Sequence, residues 1–179
     1  MMNNQGEIIA NDNKHSRLKA LRGNLDRLGI TNTTVTLRDF RSFPNTEADI
    51  YFVDAPCSSE GTIRKKNTIR RKWNDNDYKR FTKTQEGILE RTCEMASKGD
   101  QIIYSTCTFA PEENEHVVNA ILETQSIKLK NINIKNLKTG KGLTSWKNHT
   151  YDKELQKCAR IWPHHNDTDG FFIARIEKC

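Results

Sequence analysis

Two short segments carry the residues best suited to chemistry: Asp54-Ala55-Pro56-Cys57-Ser58-Ser59-Glu60-Gly61-Thr62 and Tyr104-Ser105-Thr106-Cys107-Thr108. Each brings a cysteine just past a short apolar run that reads as a buried strand, Asp49 to Val53 in the first and Gln101 to Tyr104 in the second. A lone cysteine there is most often a small buried hydrophobe. Two at the same edge of a sheet, both flanked by small hydroxylated residues, suit a reactive site better. Hydroxyls and free loop N–H groups stabilise a thiolate, and the thiolate is the nucleophile. Asp54 puts a carboxylate at the same edge, and Asp12 and Asp39 follow two further strand-like runs in the same way. In open α/β sheets ligands bind outside the carboxyl ends of the strands. A carboxylate there can accept hydrogen bonds from ribose hydroxyls or a base amine, or it can simply open a turn or cap a helix.

The elements that must position these groups alternate, which points to an α/β fold. Strands are expected at Glu7 to Ala10, Thr34 to Leu37, Asp49 to Val53, Gln101 to Tyr104, Ile127 to Leu137 and Gly170 to Ile176. Leu18, Leu21, Leu25 and Leu28 share one face of a helix that Gly29 stops. Asp75 to Ser97 reads as a second helix, with Cys93 in its core face. Pro111-Glu112-Glu113 reads as the first turn of a third, since proline is tolerated there and carboxylates favour the positive end of the helix dipole. Thr139 to Cys158 reads as mixed and loop-rich, and Gly140-Lys141-Gly142 as a turn.

Composition narrows the classes. The 179 residues suit one domain, taken as 1–179. No apolar run approaches about 18 residues, so no membrane span is expected. The first residues lack a secretory pattern, and five cysteines without a CxxC pair suggest neither a disulfide framework nor a zinc site, so a reduced, cytoplasmic protein is expected. His164-His165 reads as a strand pair facing opposite ways, which gives no metal site. A net charge of +6 favours a polyanionic partner. Arg64, Lys65, Lys66, Arg70, Arg71 and Lys72 place six cations in nine positions directly after the Cys57 segment, followed by Trp73, and such a run can neutralise phosphates while the aromatic stacks on a base. Lys128, Lys130, Lys135, Lys138, Lys141 and Lys147 are dispersed and read as a solvated face.

The two cysteine segments resemble the signature pair of the Nol-Nop-Sun family of RNA cytosine-5 methyltransferases. Gly6 to Asp12 with Arg17, Leu18 and the run to Gly29, then Pro111-Glu112-Glu113-Asn114-Glu115, Arg160 to His164 and Asp169 to Ala174 extend the likeness over almost the whole chain. The resemblance implies a Rossmann-like class I methyltransferase fold and transfer of a methyl group from S-adenosylmethionine to C5 of a cytosine in tRNA or rRNA. It implies Cys107 as nucleophile, Cys57 as the residue that assists elimination, and Asp54 as the contact to the cytosine's polar edge. Asp12, Arg17 and Asp39, with Asp54, would hold the cofactor. Glu113-Asn114-Glu115 superficially resembles a motif of DNA cytosine-5 methyltransferases, but here it follows Cys107, and Ser-Thr-Cys-Thr is not a feature of those enzymes. The family's glycine-rich cofactor loop has no counterpart in these residues, so the resemblance implies a fold whose first βα unit is missing. A second polypeptide that supplies it, or a non-catalytic RNA-binding fragment, is the alternative reading.

Overall fold

The structure is a computed structural model that describes residues 2–65 and 77–179. In chain order its strands and helices are β1 (Ile8–Asp12), α1 (His15–Leu28), β2 (Thr33–Leu37), β3 (Ile50–Asp54), α2 (Asp77–Met95), β4 (Gln101–Thr106), α3 (Glu115–Thr124), β5 (Ile127–Lys130), β6 (Thr139–Lys141), β7 (Ser145–Trp146), β8 (His149–Thr150), β9 (Ala159–Ile161), α4 (Pro163–Asn166) and β10 (Phe171–Lys178). They form two compact units, residues 1–45 and 46–179.

In the first unit β1 and β2 run parallel, from Ile8 beside Thr33 to Asp12 beside Leu37. The helix α1 makes the crossover that a parallel pair requires. It ends where Gly29 takes the left-handed conformation, φ 64°, in which a side chain would be strained. Its leucine face grades from buried Leu18 to Leu28, which is 60% exposed.

In the second unit β3 and β4 are parallel, and α2 lies between them in the chain. The strand β10 runs antiparallel along the other edge of β4. Along its own far edge β10 pairs first with β9 and then with β5, and β6 adds beyond β9. The β7–β8 hairpin stands apart from this sheet. Alternation sets the core: Tyr51 and Val53, Ile102 and Tyr104, and Phe172, Ala174 and Ile176 are buried, as are Leu89 and Cys93 of α2 and Val117, Val118 and Ile121 of α3. Each large apolar side chain so buried contributes about 1.5–3 kcal/mol. The outward residues of β3 differ, for Phe52 is 78% exposed and Ile50 54%.

Four local expectations are corrected. Residues 111–114 form a turn and the helix begins only at Glu115, because Asn114 (φ −113°, ψ −91°) leaves helical geometry and its side chain is engaged with Thr106 and Thr108. The strand at Ile127 stops at Lys130, and the chain then turns, with the Leu137 N–H donating to the Ile134 carbonyl. Gly140 and Lys141 lie in β6, paired to Arg160 and Ala159, where a Cβ on Gly140 would meet the Trp162 indole at 2.9 Å. His164 and His165 stand in the short helix α4, begun by Pro163.

Candidate active site

Parallel pairing sets Asp54 beside Ser105, and the Ala55 N–H extends the ladder to the Ser105 carbonyl at 3.0 Å. Cys57 and Cys107 follow on neighbouring strand ends and meet there, Sγ to Sγ 3.3 Å. Beyond Cys57 the backbone turns sharply at Ser59 (φ 63°), which returns Gly61 so that its N–H donates to the Cys107 carbonyl at 2.9 Å. The Gly170 N–H in turn donates to the Gly61 carbonyl at 2.9 Å. A Cβ on Gly61 would lie 2.3 Å from the Gly170 oxygen and 2.8 Å from that of Cys107, so only glycine allows this approach.

The turn before α3 locks both thiol segments. Glu113 is fully buried, and its Oε2 accepts the Ser58 N–H at 3.0 Å and the Gln85 amide at 2.9 Å. Gln85, also fully buried, donates to the Pro56 carbonyl at 2.8 Å, so the residues on either side of Cys57 are held. Asn114 does the same for Cys107: it accepts from the Thr106 hydroxyl and donates to the Thr108 carbonyl at 3.0 Å. The Ser58 hydroxyl donates to Thr108 Oγ1 at 2.9 Å, and Thr108 donates to Glu60 at 3.0 Å, which ties the two segments to each other. Behind them Arg160 and Glu115, exposed by only 3% and 0%, pair in two places, and Arg160 Nη1 donates to the Phe109 carbonyl at 3.0 Å.

This setting splits the two thiols. A hydrogen bond from Cys57 lowers Cys107 from 9.0 to about 6; burial opposes the shift, a hydrogen bond from Ser59 adds to it, and the negative charge of Asp54 works against it. Cys57 moves upward, because its proton bonds the Cys107 sulfur and because it is buried. The two directions favour the proton on Cys57 and the charge on Cys107. Burial raises the Glu113 carboxyl, with the Ser58 and Gln85 hydrogen bonds opposing.

The remaining expected residues are spread over the chain. Asp54 ends β3. Asp12 ends β1, accepts the Lys14 N–H at 2.8 Å and pairs with Arg17 at 3.3 Å. Asp39 follows β2 by two residues; its oxygens take the Arg41 N–H and guanidinium, which lowers its pKa. Arg64 and Lys65 pair with Asp167 and Asp169, each at 2.8 Å. Lys66, Arg70, Arg71, Lys72 and Trp73 lie outside the described residues. Among the described residues no group of three His, Cys, Asp or Glu could hold a metal ion, and no helix is long and apolar enough to cross a membrane. Sequence reading missed Gln85, Gly61, Glu113 and Asn114 as parts of the site. Only a polar residue inside a helix's apolar face, at Gln85, was there to signal one of them.

A family model described as 16S rRNA methyltransferase RsmB/F matches residues 1–177. The chain is 38% identical over 180 residues to a tRNA (cytosine(49)-C(5))-methyltransferase of Pyrococcus abyssi, a match that takes in 99% of this chain and 57% of the relative. Among solved structures, a methyltransferase homolog from Pyrococcus horikoshii superposes with a TM-score of 0.85 at 32% identity, over 99% of this chain and 55% of that one. NSun6 from Pyrococcus horikoshii, solved with SFG, gives 0.76 at 28% identity, over 98% of this chain and 42% of that one. The chain thus spans between 22% and 57% of the length of the curated relatives it matches.

Proposed function

This chain belongs to the family of 16S rRNA methyltransferases RsmB/F and has its Rossmann-like class I methyltransferase fold, and on that premise we propose that it methylates C5 of a cytosine in tRNA or rRNA through a covalent adduct on Cys107. The observation that carries the reading is the pair of sulfurs 3.3 Å apart at neighbouring strand ends. C5 of cytosine is a weak nucleophile. When the Cys107 thiolate adds to C6, the C5–C6 π electrons shift and C5 gains enamine character. Asp54, at the same sheet edge, takes the cytosine's polar edge by accepting from its amine, which orients the ring for addition. S-adenosylmethionine, when bound, would supply the methyl group that C5 accepts, with S-adenosylhomocysteine as the leaving group. Loss of the C5 proton to water restores the C5–C6 double bond as the Cys107 sulfur leaves. Cys57, the protonated partner beside that sulfur, assists the elimination. The target base must leave its stack to expose C6, so the substrate is a flipped or single-stranded cytosine.

The donor set at the strand ends of the first unit fits the nucleoside half of the cofactor. Asp12 and Asp39 offer carboxylate acceptors for ribose hydroxyls and for an adenine amine; each Asp12 oxygen keeps a lone pair beyond its bond to Lys14 or Arg17, whereas both Asp39 oxygens take two bonds from Arg41, whose side chain must move aside to admit a ligand. The test is a gel. Cys57→Ser mixed with RNA and S-adenosylmethionine is expected to leave an RNA–protein adduct that survives denaturation, and Cys57→Ser combined with Cys107→Ala to leave none. An adduct that persists without Cys107 would remove it from the role of nucleophile.

A further inference from the structure

A cavity of about 540 Å³ opens between α2, the turn before α3, and the β7–β8 hairpin, apart from the thiol pair. That volume is in the range of small-ligand sites. Tyr78, Lys79 and Lys83 line it from α2, His116 from α3, and His149 and Tyr151 from the hairpin side. The His149 and Tyr151 rings are parallel to within 2°, with centroids 6.4 Å apart, and the His116 ring stands across both at 5.4 and 6.3 Å. Lys79 and Lys83 are exposed, sit one helical turn apart, and make no ion pair among the described residues. Lys147, exposed as expected, bonds Glu112 at 2.8 Å and lies 5.8 Å above the Tyr78 ring.

We propose that this cavity is a subsite for one nucleotide of the RNA other than the reacting cytidine; the proposal rests on the RNA reading above. Aromatic faces accept any base by stacking, and two unpaired lysines at the rim suit its phosphate. The carboxylates of the cavity do not oppose this. Glu112 is matched by Lys147 and by the Trp146 indole N–H at 3.0 Å, and Glu86 lies 4.0 Å from the His116 Nε2. An acidic peptide would find only the two rim lysines unmatched, whereas a nucleotide uses the rings as well. The subsite is also wired to the chemistry. The Thr82 hydroxyl donates to the Glu112 carbonyl at 2.9 Å, and the next residue, Glu113, grips the backbone beside Cys57. A nucleotide seated there presses on the turn that holds both thiols.

The experiment is binding and photo-crosslinking of the chain to single-stranded RNA that carries 4-thiouridine at successive positions around one cytidine. Crosslinks to peptides containing residues 78–83 or 145–151, from one or two positions only, are expected. The double variant Lys79→Glu, Lys83→Glu is expected to weaken RNA binding about tenfold and to flatten the slope of log affinity against log salt by about 0.7, the contribution of one single-strand phosphate contact. RNA that binds with an unaltered salt slope in the double variant, or that crosslinks only elsewhere, overturns the subsite and leaves the RNA reading standing. A wild-type chain that binds no RNA overturns both.

Discussion

Cys57→Ala removes the main donor to the Cys107 sulfur. With Cys57 present, Cys107 is lowered from 9.0 to about 6, and the Ser59 bond is the smaller of the two hydrogen-bond contributions. Without Cys57 the burial outweighs the Ser59 bond and the Asp54 charge outweighs the backbone bond, so Cys107 returns to the ordinary thiol value of 9.0 or above. At pH 6 its ionised fraction then falls from about one half to about one thousandth or less. The more basic thiolate is intrinsically the better nucleophile, by about twentyfold over that interval, so iodoacetamide alkylation at pH 6 slows about twentyfold. At pH 7 the slowing shrinks to about fourfold, and a single-pH rate there says little. The measurement is therefore the pH at half-maximal alkylation of the Cys107 peptide, resolved by mass spectrometry. That resolution matters because Cys179 is exposed and would alkylate too. The sign is fixed: acid protonates Cys107, so reactivity and adduct formation fall below about pH 6 in the wild type and at a higher pH in the variant. A midpoint that stays near 6 in Cys57→Ala would show that something other than Cys57 ionises Cys107, and the division of roles between the thiols would fail.

Other perturbations act on the scaffold. Glu113→Ala strands the Ser58 N–H and the Gln85 amide in a buried site and is expected to cost about 1–3 kcal/mol in urea unfolding, with Glu113→Gln milder because one acceptor oxygen remains. Arg160→Met leaves Glu115 as an uncompensated buried charge, and a loss of about 3–5 kcal/mol is expected by the same measurement. Diamide is expected to join Cys57 to Cys107 within one chain of the wild type, visible as loss of two free thiols without a change in mass class on a non-reducing gel. Gly61→Ala, whose Cβ would collide with two backbone oxygens, is expected to cost about 1–3 kcal/mol and to slow that oxidation, while equal oxidation rates would mean the thiols do not depend on the Gly61 contact.

The elements that carry the cysteines were legible because their signals are local. Short apolar runs over residues 50–53 and 102–104 mark two strands, and the polar residues after them mark two strand ends. Parallel pairing then puts the two ends side by side. What joins them was not legible, because it is long-range and polar. Glu113 and Asn114 looked like a helix start, since carboxylates and proline favour one, and nothing local says that their side chains reach residues 55 and 8 positions back. The strand at Ile127 was overextended for the converse reason: its alternation runs past Lys130, but β10 offers pairing partners only from Arg175 to Lys178 there, the residues before Ala174 being taken by β9. Gly140 read as a turn because glycine usually marks one, whereas its role is to let β6 lie against Trp162.

The strand β10 comes last among the described elements, yet it lies inside its sheet, with β4 on one side and β9 and β5 on the other. During synthesis β3, β4 and the whole thiol-bearing turn are made while that slot is still vacant. Gly170, which braces Gly61 and through it the Cys107 carbonyl, arrives in the same late stretch. The Cys107 segment therefore acquires its full bracing only when β10 has been threaded between strands made earlier. Until then the Gly61 carbonyl lacks the Gly170 N–H, and the turn that faces the Cys107 carbonyl is held from one side only.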